Sequence, residues 1–141
     1  MPKIIIEQSF NAPQETVFKE LSNHENFGKI VNAKIVRIKD ATGNDPNGVG
    51  SVRSIQLGIE ILQETVTKYE SPNLIEYKIT SKTPMSHHLG RLQFSTPTKG
   101  TTHLLYTIEM ESKLPAVATV TAFVLNLIIK NGLKRFAAKY K

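Results

Sequence analysis

From Pro115 to the C-terminus the chain reads as one long helix with apolar residues on two faces, and such a helix needs a sheet to lie on. The first stripe is Ala118, Ala122, Leu125, Ile129, Leu133, Phe136 and Tyr140, spaced by three and four along its full length. The first half adds Val117, Val120, Val124 and Ile128, leaving only Thr119, Asn126 and Lys130 as a polar strip. One surface cannot bury both faces. The second therefore lines a cavity, meets a partner chain or touches lipid. Ala116 to Ile129 falls short of the ~20 apolar residues of a membrane span and is interrupted by Thr119, Thr121 and Asn126, so packing against a sheet is expected rather than a crossing.

The sheet is supplied by the residues between Asn32 and Ser112. They are rich in β-branched side chains and broken by turn clusters at 42–50, 71–73, 83–84 and 97–100, a spacing that predicts about six antiparallel strands. Lys3 to Phe10 predicts one more. Pro13 suits the first position of a helix, with Glu15 near its positive end and Val17, Phe18 and Leu21 as its apolar stripe. Asn23 and the Gly28 region predict a second short helix. The pattern is α+β, and residues 1–141 are expected to form a single ligand-binding domain of roughly seven strands, two short helices and a long C-terminal helix.

Hairpin registers assign the faces, because residues opposite each other share one. Thr98-Lys99-Gly100 predicts a three-residue loop with Gly100 left-handed. It sets Phe94 opposite Leu104, Leu92 opposite Tyr106, Gly90 opposite Ile108 and His88 opposite Met110 as the buried face. Arg91 then lies outside, within diagonal reach of Glu109. The turn Ser71-Pro72-Asn73 sets Lys68 opposite Glu76 on the solvent side, and turns Tyr69, Thr67, Thr65 and Gln63 inward against Ile75, Tyr77, Ile79 and Ser81. So many hydroxyls on an inner face imply water or a ligand as partner, since an unpaired buried hydroxyl costs ~1–3 kcal/mol. A bulge in the strand would exchange the two faces.

The 18 basic and 12 acidic residues give a net charge of +6, and the excess lies entirely after Glu111, in Lys113, Lys130, Lys134, Arg135, Lys139 and Lys141. Cations at a helix C-terminus complement its dipole; the same cluster would also steer the chain toward an anionic membrane. Without cysteine there is neither disulfide nor thiolate chemistry. Ile4, Ile5 and Ile6 before Glu7 are too few for a signal-peptide core, and a cytoplasmic location is expected.

In this order, Ser9-Phe10-Asn11-Ala12-Pro13 with Glu15, Val17 and Phe18, then Gly48-Val49-Gly50-Ser51-Val52-Arg53, Glu64-Thr65-Val66 with Tyr69, Pro72 and Tyr77, Gly90 to Phe94 and Thr102 to Tyr106 resemble the START-like helix-grip superfamily. This superfamily is also called SRPBCC, and the likeness is to its polyketide cyclase/dehydrase and lipid-transport branch. The resemblance covers nearly the whole chain. It implies a curved antiparallel sheet wrapped around the C-terminal helix, with a cavity between them for lipids, polyketides or similar apolar compounds. It fixes no catalytic residue and implies no cofactor.

His87 and His88 are neighbours on a strand, point to opposite faces and cannot share a metal ion, so no metal site is expected. His88 faces inward. It is either the acid or base for a bound carbonyl compound, with Tyr77 or Tyr106 donating to an oxygen, or a core histidine satisfied by a neighbour. Arg53 shares a face with Val49, Ile55 and Leu57; it either anchors a carboxylate or other polar ligand end, or bonds carbonyls at the rim. Gly48-Val49-Gly50 lacks the length and the following Lys of a phosphate loop and reads as a turn.

Three functions stay open. A carrier of a hydrophobic small molecule predicts a pocket lined by Arg53, Thr65, Thr67, Tyr77, His88, Tyr106, Val117, Val120 and Val124. A polyketide cyclase or dehydratase predicts turnover through His88 with Arg53 or a tyrosine. An interaction module predicts a homodimer through the second helix face, or a peripheral contact between the basic C-terminal end and an anionic membrane. Nucleic acid is not an expected partner, because no sheet face interleaves aromatic and basic residues.

Overall fold

The computed structural model describes residues 3–57, 59–81 and 85–140. The elements are β1 (Lys3–Phe10), α1 (Gln14–Ser22), α2 (His24–Val31), β2 (Lys34–Lys39), β3 (Val52–Leu57), β4 (Ile59–Glu70), β5 (Leu74–Ile79), β6 (Met85–Ser95), β7 (Thr102–Ser112) and α3 (Pro115–Ala138). The strands form one antiparallel sheet of seven in the order β1-β7-β6-β5-β4-β3-β2. Its two edges are consecutive in sequence, so α1 and α2 must carry the chain from one edge to the other. Together with α3 they cover the inner face, as a helix-grip fold requires.

Local chemistry places the helices. Pro13 stands just before α1 in an extended conformation, one residue earlier than expected, and Glu15 occupies the first turn. The Asn23 side chain caps α2 by accepting from the Asn26 amide, and Asn32 ends it in the left-handed conformation. Val17, Phe18 and Leu21 are buried, with Phe18 edge-on to Tyr69 at 5.3 Å and to Phe94 at 5.1 Å. In α3 the residues Ile129, Leu133 and Phe136 are buried, and Phe136 lies 5.3 Å from Phe10. Each such side chain contributes roughly 1.5–3 kcal/mol by leaving water. Gly132 lets α3 cross α2 closely, since a Cβ there would sit 2.4 Å from the Ile30 carbonyl oxygen.

The β6–β7 register is as expected at every pair, and Gly100 has φ 83°. Arg91, however, pairs with Glu76 at 3.0 Å rather than with Glu109, because Glu76 lies directly opposite it on β5. Lys68 does stand opposite Glu76, but its ammonium reaches Glu70 at 3.8 Å.

The larger correction is in β4. Tyr69 pairs with Ile75 and Lys68 with Glu76, but Val66, not Thr67, pairs with Tyr77: a bulge at Thr67 shifts the register. Beyond it the faces exchange. Val66 and Glu64 turn inward, while Thr67 is exposed and Thr65 bonds to Thr80 on the outside at 2.9 Å. The inner face therefore carries one carboxylate where a row of hydroxyls was expected.

Among the described residues the second face of α3 faces outward rather than into the space between sheet and helices. Val120 is 61% exposed, and Phe123, Val124, Leu127 and Ile128 are exposed with it, while Val117 is half-buried. By length and composition alone α3 could cross a membrane, the most apolar 18-residue window of Ala116–Ala138 having a mean hydropathy of 1.6.

Candidate functional site

The inner face of the sheet gathers five polar side chains from five strands. Arg53 on β3 stands directly across from Glu64 on β4, and its Nε donates to Glu64 Oε1 at 2.8 Å. Both are enclosed, at 5% exposure each. The guanidinium is sandwiched between rings, 4.4 Å from the centre of Tyr77 and 4.9 Å from that of Phe27 on α2, a cation–π arrangement that partly replaces lost water. Tyr77 and Tyr106 join hydroxyl to hydroxyl beside the guanidinium. His88 completes the group with Nδ1 3.9 Å from Glu64 Oε2, too far for a hydrogen bond; this buried nitrogen has no partner.

Tyr77 owes its position to an absence. It pairs with Gly90, and a Cβ at residue 90 would fall 2.1 Å from Tyr77 Cζ. The phenol ring lies across the glycine, which directs its hydroxyl along the sheet toward Tyr106 on β7.

Electrostatics follow from enclosure. Burial works against the Arg53 charge, but Glu64 and the two tyrosines outweigh it, so the pKa rises and the guanidinium stays charged. Burial raises both tyrosines above their ordinary value and keeps their hydroxyls protonated. Burial also lowers His88, against the pull of Glu64, and the imidazole is neutral near pH 7. A second buried histidine, His24, bonds through Nε2 to Ser51 Oγ at 2.9 Å and leaves Nδ1 unpartnered. Burial first, then the charges of Arg53 and Arg37, push its pKa down to about 3.

Among the expected site residues, the structure brings together Arg53, Tyr77, His88 and Tyr106. It does not bring in Thr65 and Thr67, which the bulge turns outward, nor Val120 and Val124, which point away from the sheet. Glu64, Phe27, His24 and Gly90 were not among the expected site residues. Gly90 carried a readable signal, a glycine inside an otherwise regular strand; Glu64 was hidden by the bulge. The inner-face space bounded by Leu21, His24, Phe27, Arg53, Val66 and Tyr77 measures only about 10 Å³, room for about one water. A hollow of about 660 Å³ lies elsewhere, open to solvent between β1, the β6–β7 turn and the Lys130–Ala138 part of α3. Among the described residues no cluster of three or more His, Asp or Glu could hold a metal ion.

The family model described as polyketide cyclase / dehydrase and lipid transport matches residues 1–141. The chain belongs to that family. Solved structures agree on the fold of this polyketide cyclase/dehydrase and lipid-transport domain. A START superfamily protein from Mycobacterium smegmatis is 14% identical, with a TM-score of 0.76 over 99% of both chains. A protein of Thermobifida fusca is 15% identical with a TM-score of 0.76, covering 99% of this chain and 93% of its own. One from Nitrosospira multiformis is 20% identical with a TM-score of 0.70, covering 99% and 97%. No curated protein matches the sequence.

Proposed function

We propose that this polyketide cyclase/dehydrase and lipid-transport domain binds an apolar small molecule with one polar, hydrogen-bonding end, seated between the inner face of the sheet and the helices. The carrying observation is the enclosed Arg53–Glu64 pair with the Tyr77 and Tyr106 hydroxyls and the unpartnered His88 nitrogen beside it. A buried ion pair is a poor way to stabilise a core, because two desolvated charges commonly do no better than apolar residues of the same volume. Donors gathered in an enclosed site, the Arg53 guanidinium and a tyrosine hydroxyl, serve recognition instead, and a carboxylate, phenol or enol oxygen on the ligand fits them. The ligand's apolar body requires the interior to open well beyond its present 10 Å³.

Native mass spectrometry of the purified protein, followed by denaturing extraction, tests this reading. A stoichiometric apolar adduct that is absent from the Arg53→Met/Glu64→Leu double variant, itself folded by circular dichroism, is the expected result. An adduct retained undiminished by the double variant removes the cluster from recognition. An empty protein whose melting temperature is unmoved by long-chain acids and by polycyclic phenols overturns the reading, since a ligand held only by the native state must raise it.

One observation favours a second reading, a cyclase or dehydratase. The neutral His88 imidazole, with a free Nδ1 near Glu64, can give or take a proton at a bound carbonyl compound while a tyrosine hydroxyl or Arg53 holds the oxygen. His88→Ala then abolishes turnover with little loss of stability. Turnover surviving that change overturns the mechanism.

A further inference from the structure

We propose that the outward face of α3 is a docking surface for an anionic lipid membrane, with the helix lying in the interface and the sheet above it. This goes beyond the ligand-binding reading and does not depend on it. A helix apolar all round is normally enclosed. Here one side is, through Ala118, Ile129, Leu133 and Phe136, and the other is not. Val120, Phe123, Val124 and Leu127 project from the first half of the helix, and Phe123, at 67% exposure, is the most open of them. Ile5 on β1, 61% exposed, borders the same hollow of about 390 Å³ as Phe123 and widens the patch.

Charge selects the occupant. The second half of the same helix carries Lys130, Lys134 and Arg135, followed by Lys139, and Lys113 precedes the helix; all are exposed. From Ser112 to the end there is no Asp or Glu. Among the described residues Lys113, Lys130, Lys134 and Lys139 make no ion pair, and Glu7 on the neighbouring strand is engaged with His103 at 3.1 Å. An apolar strip continued by unneutralised cations along one helix matches the acyl boundary and phosphate layer of an anionic leaflet, whose attraction grows with each cation near the surface. Docking of this kind leaves Leu133 and Phe136 packed against the sheet, and the helix does not cross the bilayer.

Flotation of the full chain with phosphatidylcholine vesicles, with and without phosphatidylglycerol, tests the proposal. The chain is expected to float with the anionic vesicles alone and to be released as salt shortens the Debye length to about 3 Å. Leu127→Asp should abolish flotation with an unchanged melting temperature, and Lys130→Glu/Lys134→Glu should weaken it roughly tenfold or more. Equal flotation on neutral vesicles, or failure to float on anionic ones at low salt, overturns it. So does a dimer in solution that Leu127→Asp disperses while no vesicle is bound, an outcome that gives the face to a second copy. Resistance to alkaline extraction from the vesicles would mean insertion and also overturns it.

Discussion

Two regions of this molecule invert the usual distribution of polar and apolar groups, in opposite senses. On the inner face of the sheet Arg53, Glu64 and His88 are enclosed; on α3 the side chains of Val120, Phe123, Val124 and Leu127 face out. The energetic consequences are unequal. Enclosing a charge removes its hydration, a penalty of several kcal/mol per ion that only close partners offset, so the inner cluster is tightly determined. An apolar side chain left in water forgoes a gain without incurring a comparable loss. The outer patch therefore persists without any local compensation, and its meaning lies in what it can cover.

The sharpest way to break this contrast is to remove one partner from the inner pair. Arg53→Met should destabilise the fold by about 3–5 kcal/mol in chemical denaturation by stranding Glu64, and adding Glu64→Leu should recover most of the loss. If the single change is as mild as a surface substitution, the pair is solvated and the contrast fails. Next in size is Gly90→Ala. Its new methyl collides with the Tyr77 ring, a loss of about 1–3 kcal/mol, and the displaced hydroxyl should register as a changed tyrosine signal in near-ultraviolet circular dichroism.

Acidity probes the interior more gently. Because burial lowers the pKa of His24 from 6.5 to about 3, neither state gains a proton on this residue at neutral pH and its contribution there is nil. As pH falls below 6.5 the unfolded chain takes a proton that the folded protein refuses, so stability declines down to about pH 3. The slope should reach up to about 1.4 kcal/mol per pH unit for this group, and His24→Gln should flatten it. The smallest effect belongs outside: Phe123→Ser should change stability by no more than about 0.5 kcal/mol, and a larger loss would mean that Phe123 is covered in the folded monomer.

The strand and helix order was legible because turns and apolar periodicity are local properties. The β6–β7 face was legible as well, since Gly100 fixes a regular hairpin and alternation carries the register from there. That reading placed His88 and Tyr106 on the inner face, and Tyr77 followed from the neighbouring hairpin. Thr65 and Thr67 were assigned to the wrong side because nothing in Glu64-Thr65-Val66-Thr67-Lys68 announces a bulge; it arises from pairing with β5, a tertiary event. In α3 the stripe that meets the sheet was legible, and Ala118, Ile129, Leu133 and Phe136 are buried accordingly. The fate of the second face was left open between cavity, partner and lipid, because it depends on how the whole helix is seated.

The bulge at Thr67 has one more consequence. A strand counts its residues in twos, and an extra residue changes every later assignment from odd to even. Deleting Thr67 would remove the bulge and leave Glu64 inside, but pairing Thr67 regularly with Tyr77 would restore simple alternation from Tyr69 back through β4 and send Glu64 out to water, with Thr65 in its place. Arg53 would then face a hydroxyl instead of a carboxylate. The charge balance of the interior is thus held by the arithmetic of the backbone, through an exposed threonine that touches neither member of the pair.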